Sequence, residues 1–178
     1  MHVVPQDVPD KLKRHTTDQL CWRVDYKGLR EFFASVCELT DVRFYSASFG
    51  TKPHQGFLSF LKKQLRFKLE TKPLKEYPDH TPEEPHRKAN FDVEIATDAT
   101  FTLGNYDTFA LFSGDCDFAY LLTFLRGQNK TTIVFSRSGH IAKELPPASS
   151  YYFDIVDFRH EILRVSLRPE TLNAKNPA

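Results

Sequence analysis

Cysteine is scarce in this sequence and forms no pattern: Cys21, Cys37 and Cys116 are an odd number without CxxC spacing. That argues against a disulfide framework or a zinc site and fits a reducing cytoplasm. Long hydrophobic runs are missing as well. No stretch approaches the length needed to cross a bilayer, and no apolar signal-peptide core opens the chain. The expectation is a soluble, cytoplasmic protein with no membrane partner. A formal net charge of only +1 gives no global sign of nucleic-acid binding. There are no repeats, no coiled-coil heptads, and no Walker A or GxGxxG phosphate loop.

What is present is a core. Its 178 residues suit one domain of ordinary size, and 40% apolar residues with 16 Phe argue against disorder. Charge is unevenly spread. Lys52, Lys62, Lys63, Arg66, Lys68, Lys72 and Lys75 stand against the single acid Glu70, and an acidic stretch from Glu76 to Asp98 follows. A basic face beside an acidic segment suits a polyanion approaching a metal cluster. A solvated helix and an exposed loop explain the same runs.

Strand and helix patterns alternate. Residues 1–20 are polar and irregular, with Pro5 and Pro9. Asp25 can cap a helix through Leu29, Phe32, Phe33, Val36 and Leu39. Val42 to Phe49 reads as a strand, Phe57 to Leu65 as an amphipathic helix and Arg66 to Glu70 as a half-exposed strand. Tyr77 to Arg87, with three prolines, reads as a mobile loop, and a helix from Phe91 to Leu103 follows. Thr108 to Ser113 reads as a buried strand, Ala119 to Leu125 as its helix and Lys130 to Ser136 as another strand. A short helix at 141–145, a last strand at 151–155 and a terminal helix capped by Asp157 complete the chain. Such alternation indicates an α/β domain with a largely parallel sheet.

The segment Phe112-Ser113-Gly114-Asp115-Cys116-Asp117-Phe118 lies where a strand gives way to a helix. Ligands bind in α/β sheets at the carboxyl ends of strands, and Asp side chains are hard oxygen ligands for Mg²⁺ or Mn²⁺. Capping by Asp117 and turn closure by Asp115 would be the plainer explanation. Cys116 between them reads as a small filler, not a nucleophile. Asp92 begins the helix in Lys88-Ala89-Asn90-Phe91-Asp92-Val93-Glu94-Ile95-Ala96-Thr97-Asp98-Ala99. At about 100° per residue Asp98 lies roughly 240° from Asp92, so one straight helix cannot aim both at one ion. Glu94 and Asp98 form a like-charge i,i+4 pair, which favours a specific use of Asp98 such as a hydrogen bond that supports the metal ligands.

Taken together, Lys88 to Ala99 followed by Leu111-Phe112-Ser113-Gly114-Asp115-Cys116-Asp117-Phe118 closely resembles the NYN domain of LabA-like proteins, within the PIN-like nuclease superfamily. The likeness begins near Arg23-Val24-Asp25-Tyr26 and reaches Phe153. It implies a PIN-like, Rossmann-like three-layer α/β sandwich with a mostly parallel central sheet, occupying residues 21–165 between an irregular extension (1–20) and a polar tail (166–178). By the same resemblance, Asp92, Asp115 and Asp117 are the expected catalytic and metal-site acids for Mg²⁺ or Mn²⁺. Ser113 and Lys88 would contact the site or the substrate, and Lys62, Lys63 and Arg66 would bind it. The implied activity is hydrolysis of RNA phosphodiester bonds, with single-stranded RNA as partner. Asp154 reads as structural.

One part of the family pattern is lacking. NYN domains usually open with an apolar strand ending in an Asp, near the middle of the sheet, and nothing upstream of Trp22 replaces it. Closure of the gap, a strand from a second copy in a homo-oligomer, or a truncated chain are the three ways to meet this. An impaired nuclease is therefore one expectation and a non-catalytic RNA-binding or regulatory module the alternative. A phosphomonoesterase is a third, disfavoured by the absence of an N-terminal nucleophile motif.

Overall fold

A computed structural model describes residues 2–73, 75–77 and 86–168, excepting the side chains of 75–77 and 86–88. These residues form two compact units, one joining 1–38 to 155–178 and the other spanning 39–154.

In the first unit, β1 (Leu20–Val24) leads into α1 (Tyr26–Val36). The Asp25 carboxylate accepts from the Lys27 and Gly28 amides, as the sequence reading expects of a helix cap. Before β1 the chain makes three short 3₁₀ turns, at Pro5–Asp7, Asp10–Leu12 and Thr17–Gln19. Val3, Val8, Leu20 and Val165 form a small core there, joined by Leu12, Trp22 and Leu167.

The second unit carries the parallel strands. In chain order it contains β2 (Arg43–Ser48), α2 (Lys52–Lys63), β3 (Lys68–Pro73), β4 (Lys75–Tyr77), β5 (His86–Lys88) and α3 (Asp92–Phe101). Then come β6 (Thr108–Phe112), α4 (Ala119–Gly127), β7 (Thr131–Ser136), α5 (Leu145–Ala148) and β8 (Tyr151–Asp154). The first unit closes the chain with α6 (Arg159–Ile162) and β9 (Leu163–Leu167).

Two parallel blocks result. β2 pairs with β3, and β7 lies between β6 and β8, all in parallel. Among the described residues no strand joins β2 to β6, in keeping with a sheet that lacks its first strand. Leu121, Leu122 and Leu125 of α4 share a buried cluster with Leu111, Val134, Phe118, Leu145 and Ala148, and Ala99 of α3 joins it. Each such leucine contributes about 1.5–3 kcal/mol by leaving water. Buried Thr132 keeps its polar groups paired through Ser150, which receives and returns hydrogen bonds.

Several boundaries differ from the sequence reading. Arg159–Ile162 is a single helical turn, not a terminal helix capped by Asp157, because Leu163–Leu167 turns into β9 and pairs antiparallel with β1. That strand runs through Ser166 and Leu167, at the start of the expected tail, and 169–178 lie outside the described residues. The short helix falls at Leu145–Ala148, where Pro146 and Pro147 occupy positions that need no helical N–H. Tyr77, His86 and Arg87, read as loop, belong to the β4–β5 ribbon, while 78–85 lie outside the described residues.

Asp98 has a specific use, though as a tie between elements and not as a support for the metal ligands. Its carboxylate accepts from the Tyr45 hydroxyl at 2.8 Å and pairs with the Arg43 guanidinium, tying α3 to β2. Glu94, one turn earlier, has its own cation in Lys72 at 2.6 Å, so each member of the like-charge pair is answered. Burial alone would raise the Asp98 carboxyl, but hydrogen bonds from Tyr45 and Arg43, with the charges of Arg43 and Lys68, outweigh it and hold it below the usual range. The folded-state value thus lies under the unfolded one. The stabilisation is complete above the unfolded pKa, about 3.9, and is lost as pH falls through the folded value. Wild-type protein should therefore lose stability between pH 5 and pH 2, and Asp98→Asn should lose less over that interval. Urea midpoints across it check this; identical pH slopes would contradict it.

Candidate metal centre

β6 ends at Phe112 and the chain turns sharply into α4. Ser113 Oγ accepts from the Asp115 amide at 3.2 Å, and Asp115 Oδ1 accepts from the Asp117 amide at 3.2 Å. Asp115, not Asp117, is thus the capping residue of the 3₁₀ turn Cys116–Phe118. Phe118 is buried beneath it, which anchors the turn while Asp115, Cys116 and Asp117 stay exposed. One potential ligand atom from each of these three lies within 4.8 Å of the others.

Gly114 serves the corner by close approach. A Cβ there would lie 2.0 Å from the His140 carbonyl oxygen and 2.9 Å from Ser136 Oγ. The Ala142 amide donates to the Gly114 carbonyl at 2.9 Å, so the 137–142 loop lies directly on this backbone. Cys116 is exposed, not a packed filler. Local desolvation and the charges of Asp117 and Asp115, with a smaller contribution from Glu144, push its thiol up. It is therefore a poor nucleophile, and Glu144 emerges as a further carboxylate near the corner that the sequence did not single out.

Chain direction locates the other residues. Lys72, near the end of β3, meets Glu94 in the first turns of α3, while Arg43, at the start of β2, meets Asp98 further along. α3 therefore runs antiparallel to β2 and β3, and begins at their carboxyl edge. β6 returns from the far end of α3, so its carboxyl end lies on the same edge, where α3 abuts the Cys116–Phe118 turn. Asp92 and the Asp115–Asp117 corner share this edge, although Asp92 stands outside the three-residue ligand group. Lys88 ends β5 just before α3, opposite Lys75, and its side chain lies outside the described residues.

Lys62, Lys63 and Arg66 lie at the other end. α2 links the carboxyl end of β2 to the amino end of β3, so its last turn and Arg66 sit at the amino edge. A six-residue strand spans about 20 Å, roughly two screening lengths at 0.1 M salt. The structure does not bring these cations to the acids. Lys62 and Lys63 instead complement the carboxyl-terminal dipole of α2, and Arg66 takes the left-handed backbone (φ 56°) that closes it. Among the described residues, exposed cations at the carboxyl edge include Lys52, the first residue of α2, and Arg137, which follows β7. Lys72 is engaged by Glu94 and lies 4.6 Å from the centre of the Phe91 ring. Asp154 accepts from the Ser138 amide, a structural role.

The model of the NYN domain matches residues 7–157 of the sequence. The chain belongs to the NYN domain family. This NYN protein is 34% identical over 152 residues to the Low amplitude and bright protein LabA of Synechococcus elongatus, covering 84% of this chain and 81% of that one. Its fold is similar to that of a Vibrio parahaemolyticus protein of unknown function, with a TM-score of 0.67 over 89% of this chain and 90% of the other, at 21% identity. Among the described residues no helix is long and apolar enough to cross a membrane.

Proposed function

We propose that this NYN domain is a metal-dependent endoribonuclease-type domain that hydrolyses phosphodiester bonds of single-stranded RNA. The observation that carries the reading is the exposed Asp115–Cys116–Asp117 corner at the carboxyl edge of parallel strands, with Asp92 on the same edge. The donor set fits Mg²⁺ or Mn²⁺: two carboxylates are hard, anionic oxygen ligands, and waters can complete the coordination of such ions. Asp115 and Asp117 would hold the ion, with Asp92 and Glu144 as further carboxylates. When bound, a divalent ion neutralises phosphate charge, lowers the pKa of an attacking water and stabilises the leaving oxygen.

The protein groups have separate tasks. Ser113 fixes the Asp115 amide and so the shape of the turn. Gly114 lets the His140 backbone brace it. Lys52 offers an exposed cation for the phosphate chain at the same edge. Purified protein should cleave single-stranded RNA in Mn²⁺ and stop when EDTA is added. Intact RNA after incubation of folded protein with Mn²⁺ would sink this reading. Salt-sensitive RNA binding without cleavage would favour a non-catalytic RNA-binding module instead.

A further inference from the structure

Three residues beyond Asp117, Tyr120 is 84% exposed in the first turn of α4. This is unusual for the helix. Leu121, Leu122 and Leu125 on its other side are buried, so an outward position here has no need of a large ring. Phe124, one turn further on the same stripe, is 36% exposed. Helical side chains lean toward the amino end of their helix and cover the preceding turn. In α4 the preceding turn is Cys116–Phe118, so position 120 stands on the flank of the acidic corner. On the companion helix, Val93 is 75% exposed immediately after Asp92. Exposed apolar side chains thus accompany the acids on both elements that supply them.

An exposed aromatic ring beside carboxylates suits a ligand with both phosphate and flat apolar surface. Unpaired nucleobases have that surface, and paired bases bury it. We propose that Tyr120 stacks on a base of single-stranded RNA next to the bond held at Asp115 and Asp117, and is thereby a substrate-positioning residue. This rests on the nuclease reading above. It makes the site selective for unpaired over duplex RNA, with Phe124 extending the stacking surface away from the corner.

The test is fluorescence anisotropy of a labelled single-stranded oligoadenylate in EDTA, where metal-dependent cleavage is off, followed by cleavage kinetics in Mn²⁺. Tyr120→Phe should bind as wild type does. Tyr120→Ala and Tyr120→Leu should bind about tenfold or more weakly and raise KM more than they lower kcat. A spacer oligomer with the same phosphates and no bases should bind all four proteins alike. At 84% exposure these variants should melt as wild type does. Unchanged binding by Tyr120→Ala, or equal weakening on the spacer oligomer, overturns the proposal. So does a concentration-dependent dimer lost in Tyr120→Ala while RNA binding persists, since the ring would then serve a second copy. Wild-type protein that cleaves RNA while Tyr120→Ala matches it refutes only the stacking role. Wild-type protein that neither binds nor cleaves refutes the nuclease reading as well.

Discussion

Asp115→Asn should abolish nearly all metal-dependent RNA cleavage while leaving the fold intact. Asp115 has two jobs that this substitution separates. Its Oδ1 caps the turn by accepting from the Asp117 amide, and Asn caps as well as Asp does. Its negative charge is what a hard cation needs, and Asn lacks it. Loss of several kcal/mol of charge stabilisation at the phosphate corresponds to about 100-fold or more in rate. The measurement is initial cleavage rate in Mn²⁺ beside a urea unfolding curve. Asp115→Ala, which removes cap and charge together, should lose the rate and about 1 kcal/mol of stability as well. An Asp115→Asn protein that cleaves at the wild-type rate would remove Asp115 from the site.

The second large effect is expected at the neighbouring glycine. Gly114→Ala would put a methyl group 2.0 Å from the His140 carbonyl oxygen. The obstacle is backbone, so no rotamer change can clear it. Either the 137–142 loop moves and breaks the Ala142 to Gly114 hydrogen bond, or the strand-to-helix turn shifts and takes Asp115 with it. Overpacking of this kind costs about 3 kcal/mol or more when nothing can yield. A lower urea midpoint and loss of cleavage should therefore appear together. Gly56→Ala is the control. Gly56 lies inside α2 with nothing within 4 Å of the added Cβ, so alanine there should stabilise by about 1 kcal/mol through helix propensity. Equal stability of Gly114→Ala and wild type would show that the corner does not depend on this approach.

These two residues illustrate how far the sequence could be read. The acidic corner was legible because strand, turn and helix follow one another locally, and because two acids flank a single residue there. The capping role of Asp25 was legible for the same reason, since a cap acts within its own first turn. Gly114 was visible only as a glycine. Its constraint is the carbonyl of a residue 26 positions away. Asp98 was half legible: an unfavourable neighbour in Glu94 signalled a purpose, but only the packed structure supplies Arg43 and Tyr45. The basic run is divided for a topological reason. Residues close in sequence along β2–α2–β3 are spread over both edges of the sheet, since α2 crosses from one edge to the other.

By itself, then, the amino-acid sequence determined the α/β class, the strand-to-helix acidic corner and the helices with strong apolar stripes, because each depends on residues within a few positions of one another. Only the tertiary structure decided that β1 pairs with β9 across the length of the chain, a contact with no local signal. It also separated Lys62, Lys63 and Arg66 from the acids, and left the Tyr120 ring in solvent. Those outcomes depend on strand direction, on which helix face finds a neighbour and on backbones that meet from distant segments. None of these is encoded in the spacing of residues along one element.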